Sequence, residues 1–286
     1  MAVAHRTDLY ARAVSDRDQI AAFLRTDRRY AAYALGDLDG SNRERCSWGM
    51  AYDDLGRPVA LAMHQEGMVP QPLFVMGAPA GCAEVVSTVI RPREAYLLGT
   101  EVLDEALAGL YDMERRVTLY RMVVDRATFQ PFAGPAERLA PGDIEALNRL
   151  YQLGFRAGFP PSVLQDGIYY GVWVRGQLVS AAGTHVINAR EGVGVVGNVM
   201  THLDYRGHDF AKMVTSAVTA ELLERVDDVA LNVHADNFPA IAAYERLGFG
   251  QHCTLSERLV RRRAGGWGLM RPIREALRLT WPRETR

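Results

Sequence analysis

Residues 193–225 constrain this 286-residue chain more than any other stretch. An apolar, β-branched run, VGVVGNVMT at 193–201, leads into the polar turn Arg206-Gly207-His208-Asp209. A helix expected from Phe210 to about Arg225 starts directly after it. A strand that passes through an Arg/Gly turn into a helix N-terminus is a ready anion site. The turn's free N–H groups, the helix dipole and the arginine all favour phosphate at 206–212.

The rest of the chain is also α/β, and its element order recurs. The first half reads as a strand at 9–14, helices at 16–25 and 28–36, strands at 47–53, 58–66 and 72–77, and a helix at 82–90. A strand at 95–98, a helix at 101–110 and a long strand at 115–124 complete it. Ser15 is the expected N-cap of the first helix, with Asp18 three residues on. The second half reads as a strand at 136–140, a helix at 142–153, a second short helix after Ser162, and strands at 168–174, 178–187 and 193–201. Then follow the helix at 210–225, a strand at 229–233, a helix at 237–247 and a strand at 252–262. Both halves therefore read β-α-α-β-β-β-α-β-α-β, with a Pro/Gly break near 129–135. The expectation is two domains on mixed sheets, 1–130 and 131–263. A basic amphipathic tail at 264–286 follows, in which Ile273, Ala276, Leu277, Thr280 and Trp281 share one helical face.

Composition excludes several classes. The chain is long enough for two cores, and 48% hydrophobic with 23% charged residues is ordinary for a soluble globular protein. No apolar run approaches 18 residues and the first 30 lack a signal-peptide layout, so a cytoplasmic protein with no membrane partner is expected. Cys46, Cys82 and Cys253 are odd in number and far apart, without ligand spacing. Neither a disulfide framework nor a metal site is expected. Nine arginines against three glutamates give residues 257–286 a local charge of +6, which is not enough to argue nucleic-acid contact. Docking of that tail on its own domain or on a second subunit leaves a homodimer open. Lys212 is the chain's single lysine.

Four segments carry a family resemblance: GIYYGV at 167–172, LVSAAGTH at 178–185, GNVMTHLDYRG at 197–207 and LNVHADNFPAIAAYERLGF at 231–249. Over roughly 136–260 the chain resembles the GNAT superfamily of acyl-CoA-dependent N-acyltransferases, and within it the glycine N-acyltransferase-like branch. The resemblance implies acetyl-CoA or another acyl-CoA as co-substrate and direct transfer to an amine, expected to be a small molecule. It assigns the pyrophosphate to Arg206, Gly207, His208, Asp209, Phe210, Ala211 and Lys212, and the thioester and pantetheine to the backbone of Val199 and Thr201. Asn237 matches a cofactor contact, and Tyr244 matches the tyrosine that protonates the departing thiolate. Tyr244 lies seven residues beyond Asn237 and so on the same helix face. The family's carboxylate base position is Val195, and residues 193–201 contain no acid. His202 and His185, or a water chain, are the remaining candidates for taking the amine's proton.

One residue departs from the pattern. Asp209 stands where the phosphate turn normally has a glycine. A carboxylate about 4 Å from a phosphate costs roughly 4 kcal/mol at an effective dielectric of 20. Either Asp209 turns away to cap the helix, or the pocket no longer accepts CoA and the chain is a catalytically inactive GNAT-like binding or scaffold protein. The run GVGVVG at 192–197 satisfies a dinucleotide fingerprint but continues as strand rather than opening a helix, so that reading falls. In the first half the matching stretch, VMGAPAGC at 75–82, lacks the arginine and carries Pro79. It resembles a degenerate repeat, expected to shape the acceptor pocket or the interface.

Overall fold

The computed structural model describes residues 9–67, 69–153 and 158–263, and the tail expected at 264–286 lies outside them. The first half comprises β1 (Tyr10–Ala13), α1 (Arg17–Leu24), α2 (Ala32–Gly36), β2 (Cys46–Tyr52), β3 (Pro58–Gln65), β4 (Pro72–Gly77) and α3 (Pro79–Thr88). It continues with β5 (Glu94–Gly99), α4 (Glu101–Leu107), β6 (Tyr111–Met113) and β7 (Val117–Asp125). The second comprises β8 (Ala136–Arg138), α5 (Ile144–Tyr151), α6 (Ser162–Asp166), β9 (Tyr169–Val174) and β10 (Gln177–Asn188). After these come β11 (Val193–Thr201), α7 (Phe210–Leu223), β12 (Asp228–His234), α8 (Phe238–Glu245) and β13 (Gly250–Arg262).

Three local expectations are corrected. The N-cap of α1 is Asp16, not Ser15: its carboxylate accepts from the backbone N–H groups of Asp18 at 2.9 Å and Gln19 at 3.2 Å. Helix α3 begins at Pro79, three residues before the expected start, because proline at the first helical position has no orphan N–H to satisfy. The end of the first half is two strands rather than one, with β6 set before β7.

The two halves do not hold separate sheets. A single 13-stranded sheet runs in the order β1-β2-β3-β4-β5-β13-β7-β12-β11-β10-β9-β8, with β6 also pairing β13. Each half's last strand therefore lies against the other half. β13 pairs β5 from Ser256↔Gly99 to Arg261↔Glu94, and β7 pairs β12 from Asp228↔Asp125 to His234↔Leu119. The exchanged strands also pair each other, from Gly250↔Val123 to Glu257↔Val117. Alternation along β7 sends its side chains to both layers: Leu119 and Val123 to one face, Met122 and Val124 to the other.

The first face is covered mainly by α1 and α2 of the first half. Ile20, Leu24, Leu35 and Leu38 pack on Met50, Leu61 and Phe74 but equally on Val193, Val195, Ala230 and Leu255 of the second half. On the opposite face α3 covers the first half's strands, and α7 with α8 covers the second half's. α2 lies so close to β10 that a Cβ on Gly36 would sit 2.6 Å from Val186 Cγ2.

Charge pairs lock this contact. Glu191, with a fully buried side chain, accepts from Arg17 Nη2 and Arg25 Nε, each at 2.8 Å. Buried Asp228 binds Arg28 at 2.6 Å and Arg29 at 2.8 Å. Burying a carboxylate is costly unless it is paired and hydrogen-bonded, so these helices and strands specify one another. Glu191→Ala leaves Arg17 buried short of a partner and is expected to lower unfolding stability by about 3 kcal/mol, measured by urea titration. Because the strands are exchanged, proteolytic cutting within residues 129–135 is expected to leave two fragments that co-elute on size exclusion under native conditions and separate only in denaturant.

Candidate functional site

The site forms where β11 and β12 part. They pair in parallel only from Val193↔Asp228 to Val195↔Ala230, which leaves residues 196–201 without a partner on that side. On the other side the register with β10 slips by one residue between Ala181↔Met200 and Gly183↔Gly197. Asn198 supplies the extra residue, with φ 54 in the left-handed region that asparagine tolerates better than β-branched neighbours do. Val199 and Thr201 follow it along the unpaired side of β11. Open α/β sheets place ligands at such a crevice beyond the carboxyl ends of diverging parallel strands.

The turn at 206–209 sits at the end of that crevice. Backbone acceptors within the described residues are absent for six successive N–H groups, from Gly207 through Lys212. Positive φ at Gly207 (82°) and Asp209 (59°) turns the chain back over the start of α7. Six open N–H groups at a helix N-terminus make a concave site for an anion. Arg206 and His208 are exposed beside it, and the His208 ring stacks on Phe210 at 5.7 Å.

Asp209 occupies the N-cap position of α7 but makes no side-chain cap hydrogen bond, which corrects the expected capping role. Left-handed backbone at an N-cap aims the side chain away from the first-turn N–H groups. The carboxylate instead pairs with Lys212, Oδ1 to Nζ 3.1 Å. The Lys212 side chain is 93% buried and its ammonium lies 3.9 Å from the Phe132 ring centroid. The chain's single lysine thus neutralises the one carboxylate of residues 206–212.

The other expected residues fall around the same crevice. Asn237 caps α8 through its own side chain, Oδ1 accepting from the Ala240 N–H at 3.3 Å. Tyr244, two turns further along α8, is buried in the cluster of α7, α8 and β11 beside Phe249. Burial pushes its phenol up to about 12. His202 caps the short turn after β11, its Nδ1 accepting from Asp204 N–H at 3.3 Å, which engages the nitrogen needed for proton transfer on that side. His185 is better placed: its ring lies on Gly197, where a Cβ would come within 2.4 Å of Nε2. Desolvation lowers its pKa, so the neutral imidazole persists below the ordinary value of about 6.5.

Several residues escaped sequence reasoning. Asn198 carries the bulge, and its position inside a β-branched run was the only local signal. Tyr151 Oη donates to its carbonyl, and its Nδ2 donates to Tyr169 Oη at 2.9 Å. Tyr33, 152 residues away in the first half, reaches His185 Nδ1 at 2.9 Å. No sequence signal links those two. Among the described residues no group of three or more His, Cys, Asp or Glu could hold a metal ion.

The first half opens in the same way and is closed again. β4 pairs β5 only from Pro72↔Tyr96 to Phe74↔Leu98. Tyr30 Oη donates to the Val75 carbonyl at 2.7 Å at the mouth of that opening, and α3 follows at once with Pro79. No turn with free N–H groups intervenes.

The family model described as FR47-like protein matches residues 169–259. No curated protein matches the sequence. Among solved structures, the chain is similar to a GCN5-related N-acetyltransferase from Sphaerobacter thermophilus: 18% identity, 90% of this chain and 96% of that one, TM-score 0.59. A GNAT-family structure from Novosphingobium aromaticivorans shares 23% identity over 67% of this chain and 84% of its own, with a TM-score of 0.50. A tandem GNAT protein from the clavulanic acid biosynthesis pathway aligns over 89% of this chain and 98% of its own at 14% identity and a TM-score of 0.52.

Gly197→Ala is expected to displace the His185 ring while leaving the phosphate turn intact. The His185 imidazole resonances should move while pyrophosphate affinity at 206–212 stays unchanged, read by NMR alongside calorimetry.

Proposed function

From a chain with the GNAT acetyltransferase fold, we propose an N-acyltransferase of tandem GNAT-like build that moves an acetyl group from acetyl-CoA to a small-molecule amine. The second half is the competent one; the first is a degenerate repeat, and the glycine N-acyltransferase-like branch is the nearest kinship the motifs suggest. One observation carries the reading: six open N–H groups and Arg206 at the end of a splayed, bulged strand. A pyrophosphate is the anion long enough to span that turn while its tail enters the crevice toward Val199 and Thr201. Asp209 does not oppose this, because Lys212 offsets its charge at 3.1 Å.

The reaction follows from the same parts. The amine lone pair attacks the thioester carbon, and the carbonyl π pair moves to oxygen. Backbone N–H groups beside the bulge stabilise that oxyanion. Collapse of the tetrahedral intermediate breaks the C–S bond and releases CoA thiolate and the amide; the amine's proton is lost to a base. Tyr244 has a narrower role than full proton donation. A phenol near 12 and a thiol near its ordinary ~8.5 differ by about 3.5 units, which sets about 5 kcal/mol against complete transfer. Tyr244 therefore donates a hydrogen bond to the departing sulfur. Its donor form is lost only as pH rises through about 12, so no alkaline limb from it should appear below pH 11.

Isothermal titration with acetyl-CoA tests the reading. Binding with a Kd in the micromolar range is expected, weakened at least tenfold in Lys212→Met, which strips the counter-charge from Asp209. No heat of binding at millimolar acetyl-CoA overturns the proposal in favour of an inactive GNAT-like scaffold.

A further inference from the structure

The central strands β5, β7, β12 and β13 carry four carboxylates, and all four stand on the face that α1 and α2 cover. Alternation places Glu94 with Leu98, Asp125 with Val123, Asp228 with Ala230 and Glu257 with Leu255. Three have arginine partners. Glu94 meets Arg261 at 2.9 Å, Asp125 meets Arg29 at 3.3 Å, and Asp228 meets Arg28 and Arg29 at 2.6 and 2.8 Å. Glu257 differs: it is half-buried, and no arginine or lysine among the described residues forms an ion pair with it. Neighbouring arginines are committed elsewhere, Arg258 to Asp104 at 2.8 Å, Arg116 to Glu101, and Arg121 to Asn232 at 2.7 Å.

The surroundings of Glu257 are aliphatic and phenolic. Its register partners are Leu98 on β5 and Val117 on β7, and Leu119 and Leu255 are buried on the same face. Tyr96, which pairs Leu259 on β13, donates a hydrogen bond to the carboxylate. Tyr33 of α2 feels its charge from above. Burial pushes the Glu257 carboxyl above its usual range, while Tyr96 and His234 pull the other way. A carboxylate among aliphatic side chains and two phenols has the make-up of an alkylammonium site.

Its place relative to the crevice is fixed by register. The turn at 206–212, α7 and α8 cover the opposite face, so acyl-CoA approaches from there. Direct transfer needs the amine on the other side of the thioester, which is the face of Glu257. His234, the last residue of β12, pairs Leu119, and Val117 lies two residues further. Glu257 is therefore level with the chain just past the end of β12, where β11 and β12 have parted. Two strand spacings, roughly 10 Å, separate β12 from β13 across β7. Val117 and His234 also line a cleft of about 410 Å³ that opens at this end of the sheet. Arg121 is set back four positions along β7 from Val117, roughly 13 Å at the strand rise.

Resting on the acyltransferase reading, we propose that Glu257, with Tyr96, binds the far ammonium of an α,ω-diamine whose near nitrogen reaches the thioester between β11 and β12. The near nitrogen attacks as the neutral amine; the far one stays charged, and the methylenes cross Leu119 and Val117. Roughly 10 Å less a hydrogen bond of about 3 Å leaves about 7 Å between the nitrogens, the span of extended diaminopentane. Glu257 is a binding residue in this scheme and takes no proton from the attacking nitrogen. Because it lies on the exchanged strand between β5 and β7, the acceptor site is built from both halves.

Thiol release with acetyl-CoA, followed over diamines from diaminopropane to diaminooctane and the n-alkylamines of equal length, tests the assignment. The wild type should favour one diamine length, at least tenfold in kcat/KM over its matched monoamine. Glu257→Gln should raise the KM for that diamine about tenfold with kcat and the monoamines unaffected, the pattern of lost binding rather than lost chemistry. Glu257→Asp draws the carboxylate back by a methylene and should restore the preference at the next longer diamine. Acetyl-CoA affinity by calorimetry, unchanged in both variants, reports an intact fold and cofactor site. Equal rates for diamines and monoamines in the wild type, or an equal loss on both in Glu257→Gln, overturn this inference alone. No thiol release with any amine, where acetyl-CoA fails to bind, defeats the acyltransferase reading instead. The Glu257 site is then judged by calorimetry with diaminopentane: binding that weakens in Glu257→Gln upholds it, and no binding overturns it.

Discussion

The β7–β13 pair at the centre of the sheet is the interaction on which the rest of the molecule depends. Through it each half receives its inner strand from the other, so neither half can close its own sheet. An edge left by removing either strand would present a row of unpaired N–H and C=O groups beside buried apolar faces. The exchange also fixes what lies over the crevice. With β7 beside β12, Arg121 comes next to Asn232, and α2 is carried across onto β10 and β11. Glu191 and Asp228 then bind four arginines of the first half, and this network sets the angle at which α2 arrives.

Within that frame the site is a set of interrupted ladders. β11 stops pairing β12 after Val195, and Asn198 breaks its register with β10. Each interruption leaves backbone groups available to a ligand, and tyrosines from two elements, Tyr151 of α5 and Tyr169 of β9, hold the break at Asn198 in place. The first half shows the same interruption between β4 and β5 without the consequence, since Tyr30 occupies the opening and no polar turn precedes α3. The difference between a usable and a closed crevice is thus a few side chains on a shared backbone plan.

Asp209 illustrates how far local reasoning reaches. Its identity signals trouble for a phosphate turn, and the sequence alone offers capping as the relief. A left-handed backbone at 59° removes that option, because a capping side chain needs extended geometry at the N-cap. Lys212 is three residues away and visible in the sequence, yet whether its long side chain turns back to Asp209 or out to solvent depends on Phe132 lying beneath it. The three-residue spacing of Asp209 and Lys212 could have suggested the pair; only packing selects it.

Much of the local architecture was legible because its signals are short-range. β-branched alternation placed β11 at 193–201, and the Arg/Gly turn placed the start of α7. Partner choice was not legible. β7 and β13 are both alternating strands that would suit either half's edge, and a period of two says which face a strand buries but not which neighbour it takes. The same holds for Tyr33 and His185, 152 positions apart with no pattern joining them. The sequence by itself determined most element types and the place of the Arg/Gly turn before α7, since these follow from backbone freedom and side-chain character within a few residues. Tertiary structure alone decided the strand exchange, the charge partner of Asp209 and the pairing of Tyr33 with His185, because each depends on which distant surfaces exclude water from one another.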